Sequence, residues 1–433
     1  MLLLLPATYG QQIIPKGIVL TWQNDPTSTM TIDWHVEEGR AGAIKMVEME
    51  SHTGSPIRHP EAGYKAPAEL YYRPAAGGEW HRASGITKPF PFIEERVTAL
   101  HRDGYSHSTP AQIRTIYRVE LTGLDDDTLF EFRFDDKGEI HRFRTMPAKL
   151  DREVRIAMGG DVKYGIWAER MNELAASYDP DFVVWGGDFS YGDGLQERLG
   201  RWYNFFASMQ QSLVAEGNRR IPVLTGIGNH EARGGYWERS EQATGIPYTQ
   251  TDSTRLRIAP YYYNLFAFPG QPGYGTLDFG DYLTIMLLDS GHSNPVEGEQ
   301  TSWLADALEQ RADVPHIFPV YHVPAFPSNR SLEDPRVLAV RKNWVPLFEK
   351  NNLTVVFENH DHNYKRTRPI RGNEAHSEGV TYLGDGCWGV MVTGMREDPA
   401  RDWYLEKTEP VNHFILVTLD GNEVETVAYD ISG

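Results

Sequence analysis

Short apolar runs separated by turn signals fill residues 13–147, and almost nothing there has helical period. GIVLTWQ leads through the turn NDPTS to MTIDWHV; AELYYRP, GGEWHRA, TIYRVELTGL, TLFEFRFDDKG and EIHRFRTMP come later. Strands of this length at this spacing predict an all-β sandwich. Residues 85–110 fit the pattern poorly and are read as an excursion on the sandwich surface. Met146, Pro147 and Ala148 read as a linker. From Glu153 the grammar changes to strand, polar site, helix. VRIAMGG precedes a helical pattern over 167–177, DFVVWGG one over 197–211, LTIMLLDS the run QTSWLADALEQR, and HIFPVYH a helix around 337–350. This alternation predicts a layered α/β domain over 150–433, with two packed β-sheets flanked by helices. The late runs EGVTYLGDG, FILVTLDGN and EVETVAYDI are expected to close the second sheet.

Composition narrows the classes. A chain of 433 residues that is 40% apolar, with 11 Trp, 22 Tyr and 18 Phe, can build a substantial core, so global disorder is excluded. A formal charge of -18 disfavours nucleic acid and anionic membrane surfaces as partners. The single cysteine, Cys387, excludes an intrachain disulfide framework and a thiolate metal cluster. Its surroundings, YLGDGCWGV, suggest a small buried residue at a strand end. Residues 1–12, MLLLLPATYGQQ, are read as a truncated or atypical secretory signal, the alternative being an ordinary apolar first strand. No stretch approaches the apolar length of a membrane-spanning helix.

Candidate chemistry sits directly after the apolar runs. Asp161 follows VRIAM, Asp188 and Tyr191 follow DFVVW, and Asn229 follows IPVLT; His322 follows HIFPV, and His360 and His362 follow LTVVF. Donors at the carboxyl ends of successive strands are what an open α/β sheet offers a metal or phosphate site. Two neighbouring cations need a bridging ligand, and Asp188, between the other donors in chain order, is the candidate. Asp161 and Tyr191 supply hard anionic oxygens suited to Fe(III), Asn229 an amide oxygen, and the three histidines nitrogens suited to Zn, Fe, Mn or Ni. His360 and His362 would share a face on a regular strand, but on a turn they can reach different ions. His292, His316 and the aromatic run 261–263 are read as structural.

Asp161, GDFSY, GNHE, the isolated His322 and the H-x-H-x-Y-x-R-T of 360–367 resemble the five-block signature of purple acid phosphatases, within the binuclear metallophosphoesterases. The segment YYYNLFAFPGQPGYGTLDFGDYLTIMLLDS resembles that family's middle region. RVELTGLDDDTLFEFRF resembles the end of a fibronectin type III module, so 13–147 is expected to be a fibronectin-like sandwich. The resemblance implies a first ion, Fe(III), on Asp161, Tyr191 and His362. It implies a second, divalent ion (Zn, Fe or Mn) on Asn229, His322 and His360, with Asp188 bridging. His230 of GNHE would contact the phosphoryl group. The implied activity is hydrolysis of small phosphate monoesters, a metal-bound hydroxide attacking phosphorus, in a secreted or periplasmic protein that does not insert in membranes. Bound cations would offset the acidic field that repels such substrates.

Three departures from the signature stand out. Lys163 occupies the glycine position of the first block, and Asn359 precedes His360 where the family has glycine; asparagine tolerates the left-handed backbone that glycine supplies. The family's substrate-facing histidine downstream of the isolated metal histidine is absent. NRSLE stands there instead, placing Arg330 as a candidate phosphoryl clamp through its planar fork. That loss leaves a phosphodiesterase as the alternative, and a catalytically silent metal-binding or adhesion protein as the rival of a different class.

Overall fold

The computed structural model describes residues 14–40, 46–49, 57–60, 67–91, 112–235, 250–394 and 398–433. Residues 1–12 and most of the expected excursion lie outside them. The start of that excursion is a strand, Ile86–Pro89, pairing antiparallel with Gln112–Thr122.

The leading part is built as two facing sheets. One runs in the order Lys16–Thr21, Thr29–Arg40, Gln112–Thr122, Ile86–Pro89. The other contains Glu69–Pro74, Leu129–Arg133 and His141–Arg144, and it recruits Arg219–Arg220 and Val214–Ala215 from far down the chain. Alternation explains the packing. Met30, Ile32 and Trp34 turn into the space between the sheets, where Trp34 stacks on Tyr117 at 5.2 Å. His35, on the opposite face of the same strand, packs edge-on to Phe206 at 4.7 Å. That strand is therefore buried on both sides.

The second part has four layers. A five-stranded sheet carries Val223–Thr225, Phe182–Trp185 and Val154–Gly159 in parallel, then His413–Asp420 and Glu423–Asp430 antiparallel. A seven-stranded sheet carries Gly275–Phe279, Leu283–Leu287, His316–Val320, Val355–Glu358, Thr381–Gly384, Tyr364–Thr367 and Leu405–Glu409, parallel in its middle and antiparallel at its edges. The period-2 side chains sort cleanly. Val154, Ile156 and Met158 face Leu283, Ile285 and Leu287 between the sheets, and Ala157, Val183 and Trp185 face the helices Ile166–Ser177 and Leu199–Ser212. Met286, Ile317 and Val356 face the helices Glu299–Glu309 and Pro335–Asn343. Trp22 enters the intersheet core from the leading part, meeting Phe182 at 5.7 Å and Phe279 at 5.6 Å.

Two expectations are corrected. Of the three late runs, only Thr381–Gly384 joins the second sheet; the hairpin His413–Asp420 and Glu423–Asp430 closes the first. It covers the otherwise open edge of Val154–Gly159, and its outer strand, with no residue buried, forms the new rim. The single helix expected around 337–350 is two, Pro335–Asn343 and Val345–Lys350, because Pro346 has no amide hydrogen to continue the ladder.

Candidate metal centre

Every candidate donor follows the end of a parallel strand, so the crevice between the two sheets gathers all seven. They fall into two groups. Tyr191 Oη donates to Asp161 Oδ1 at 3.1 Å, and His362 Nε2 lies 3.0 Å from that oxygen and 3.3 Å from Tyr191 Oη. In the other group His322 Nε2 lies 3.1 Å from Asn229 Oδ1, 3.0 Å from His360 Nδ1 and 3.1 Å from Asp188 Oδ2. The His360 amide donates to Asp161 Oδ2 at 2.9 Å and stitches the groups together.

The local backbone is forced. Asp161, Asp188, Tyr191, His360 and His362 all have left-handed φ, at 57°, 60°, 58°, 83° and 59°. Non-glycine residues persist there only where their surroundings fix them, and such strain gathers at functional sites. Lys163, at φ 61°, adopts the same conformation without glycine. Asn359 does not have positive φ, so its place before His360 has a different reason from the one its residue type suggests. Its amide donates to the Tyr321 carbonyl at 2.9 Å and fills the space beside Gly160 and Gly186. A Cβ on either glycine would come within 2.3 Å or 2.0 Å of that amide, which explains why both are glycines.

Tautomers test whether the donors suit cations. His322 Nδ1 faces the Gly186 carbonyl at 3.0 Å, and His362 Nδ1 the Met391 carbonyl at 3.2 Å, so both donate there. Each Nε2 is thereby left to present a lone pair to neighbours that are themselves acceptors. Without a cation the repulsion is relieved by a proton: burial lowers the His322 pKa, but Asp188 and Asp161 outweigh it and raise it to about 9. Burial opposes ionisation of Asp188, yet His322 and His230 hold its carboxyl below the usual carboxylate range. Burial, then Asp161 and Asp188, push the Tyr191 hydroxyl well up, and burial with Arg330 holds His360 well down. The donor set fits hard cations: one placed among these lone pairs satisfies several buried acceptors together.

His230 stands at the mouth of the site. Its ring lies 4.1 Å from that of Tyr191, its Nε2 is 3.9 Å from Asp188 Oδ2, and its Nδ1 hydrogen-bonds Asp193, which also pairs with Arg198. Burial lowers its pKa. The Arg330 guanidinium donates to the His360 carbonyl through Nε at 3.2 Å and Nη2 at 3.0 Å.

The chain's sequence relationships agree with this geometry. The calcineurin-like phosphoesterase family model matches residues 138–364, just over half of the chain. The chain belongs to that family. Among curated proteins it is similar to purple acid phosphatase 21 of Arabidopsis thaliana, 26% identical over 282 residues, covering 63% of this chain and 58% of that protein. It thus spans less than two thirds of that relative's length. Among solved structures, purple acid phosphatase PPD1 from yellow lupin (Lupinus luteus) seeds superposes with a TM-score of 0.70 at 16% identity, covering 97% of this chain and 72% of the other. PhoD superposes at 0.64 with 12% identity, covering 97% and 90%. At such identities the likeness is one of fold, the layered metallophosphoesterase α/β architecture.

Several residues of this calcineurin-like site escape a reading based on ligand types. Glu231, the last residue of GNHE, is buried and accepts from the amides of Asp188 at 2.8 Å, Phe189 at 2.9 Å and Gly228 at 2.8 Å. It ties two donor loops together; burial and Asp188 raise its pKa to about 7. Its place in the motif was the available signal. Asp193, two residues past Tyr191, had none. His292, read as structural from the sequence, is buried and packs edge-on to His322 at 5.4 Å with Nε2 3.1 Å from Ser290 Oγ. Cys387 is buried, and burial raises its thiol pKa, which makes it a poor nucleophile.

Proposed function

We propose that this protein is a binuclear metallohydrolase of small phosphate monoesters, of the purple acid phosphatase type. The observation that carries the reading is the convergence of two carboxylates, a tyrosine, an asparagine and three histidines, with the His322 and His362 tautomers presenting their Nε2 lone pairs inward. Asp161, Tyr191 and His362 would hold Fe(III); Asn229, His322 and His360 would hold a divalent ion (Zn, Fe or Mn), and Asp188 would be shared. When bound, the cations supply Lewis-acid polarisation of the ester and a water of lowered pKa.

The remaining work falls to side chains. Asp193 fixes the His230 ring so that Nε2 points toward Asp188, where it can contact a phosphoryl oxygen or deliver a proton to the leaving oxygen. Arg330, beside His360, offers a cation to the phosphoryl group in place of the family histidine that this chain lacks. We read residues 13–147 as a fibronectin-like module ahead of a catalytic domain at 150–433, in a secreted or periplasmic protein. Among the described residues no helix is long and apolar enough to cross a membrane.

The test is turnover of matched aryl phosphate mono- and diesters across pH by protein reconstituted with defined metals. Faster monoester hydrolysis that needs both ions supports the reading. Faster diester hydrolysis would move the assignment to a phosphodiesterase, and no turnover with both ions bound would leave a silent metal-binding protein.

A further inference from the structure

The loop from Ala325 to Arg330 has no regular structure, yet its backbone is held almost completely by side chains. Glu358 accepts from the Ala325 amide at 2.6 Å, and Arg341 donates to the Ala325 carbonyl at 2.7 Å. Lys365 donates to the Phe326 carbonyl at 2.8 Å, and Tyr404 to that of Pro327 at 2.7 Å. Asp385 accepts from the Ser328 amide at 3.0 Å, and Arg401 donates to the Arg330 carbonyl at 2.6 Å. Asp361 accepts from the amides of Asn329 at 2.6 Å and Arg330 at 3.0 Å. A connection so fully tied down is preorganised rather than free to adapt.

The charges in this network explain where Arg330 points. Lys365, fully buried, pairs with Glu358 at 2.5 Å and Asp385 at 3.2 Å. Asp361, also fully buried, feels the Lys365 charge, but its own carboxylate pairs with Arg330. Its Oδ2 takes the loop amides, while Oδ1 has no hydrogen-bond donor among the described residues and sits 3.4 Å from Arg330 Nε. A buried carboxylate needs a countercharge, so Asp361 draws the Arg330 guanidinium against the backbone of His360. The Arg330 side chain is 41% exposed. Asp361 lies between His360 and His362, so loop, arginine and both histidines share one anchor.

We propose that Asp361 is a positioning residue that holds Arg330 beside the metal centre to grip the phosphoryl group of a dianionic monoester. This rests on the functional reading above. The probe is inorganic phosphate, titrated by calorimetry into the full metal-reconstituted chain, alongside KM and kcat for an aryl monoester and a diester. Arg330→Ala should weaken phosphate binding about tenfold, the scale of one charge-assisted hydrogen bond. It should raise the monoester KM more than it lowers kcat and leave the diester KM nearly unchanged. Asp361→Asn keeps an acceptor for the loop amides but sets an amide group against Arg330, and should reproduce the same losses with both ions retained. The double variant should then be no worse than either single one. Asp361→Glu, displacing the charge by one methylene, should show a smaller loss of the same kind.

Wild-type phosphate affinity in Arg330→Ala would overturn the proposal, even if the Asp361 variants fail to fold. Additive losses in the double variant, or loss of metal from Asp361→Asn, would also overturn it. A wild-type chain that binds phosphate through Arg330 but hydrolyses no ester would sink the functional reading alone.

Discussion

The two sheets of the α/β part bring different chemistry to one place. The sheet built on Val154–Gly159 ends in oxygen donors: Asp161, Asp188, Tyr191 and Asn229. The sheet built on His316–Val320 ends in nitrogen donors: His322, His360 and His362. Their supports are crossed. His322 of the second sheet is oriented by the Gly186 carbonyl of the first, and Asp161 of the first accepts the His360 amide of the second. Neither half is preorganised alone, so docking of the sheets and completion of the site are one event.

This contrast can be broken at decreasing cost. Asp188 lies against His322 of the nitrogen half and is the ligand proposed to be shared, so Asp188→Asn should lower phosphate-ester turnover by more than about a thousandfold. Tyr191→Phe keeps the ring against His230 and removes one oxygen. Metal analysis should show selective loss of the ion in the oxygen-rich half, and an iron-loaded protein should lose its visible charge-transfer band. Retention of that band would move the iron elsewhere. Glu231 offers no proposed ligand atom, but it accepts from the Asp188 and Gly228 amides, so Glu231→Gln should loosen both loops and lower metal affinity roughly ten- to a hundredfold.

The smallest effect concerns the seam between the sheets. His413 begins a strand of the first sheet and packs edge-on to Tyr364 of the second at 5.2 Å. Burial lowers its pKa to about 4. The folded state thus refuses a proton that the unfolded chain accepts near the ordinary histidine value. Its contribution is complete above that value, lost as pH falls toward about 4, and amounts to about 3 kcal/mol at most. Thermal unfolding of His413→Asn should show a flatter decline over that window than wild type. Identical slopes would remove His413 from the acid response.

Strand and helix were legible because apolar period and turn residues act locally, and the seven candidate donors could be singled out because each group follows an apolar run. What the residues hid was pairing at a distance. Nothing in FILVTLDGN distinguishes the free edge of one sheet from that of the other. Asn359 resembled a substitute for glycine by residue type, whereas its amide bridges strand ends widely separated in sequence. The anchoring of the Ala325 to Arg330 loop draws on Lys365, Tyr404 and Arg401, each satisfying a backbone group that has no sequence signal.

The two short strands that the α/β part lends to the leading sandwich also bear on inheritance. Arg219 pairs directly with Arg142, so a sheet of the first part is finished by residues encoded beyond the first two donor loops. Recombination between the two parts, at 146–148, would join the leading sheets to a partner without the matching hairpin, leaving both with an open seam. The two parts are therefore expected to have diverged together.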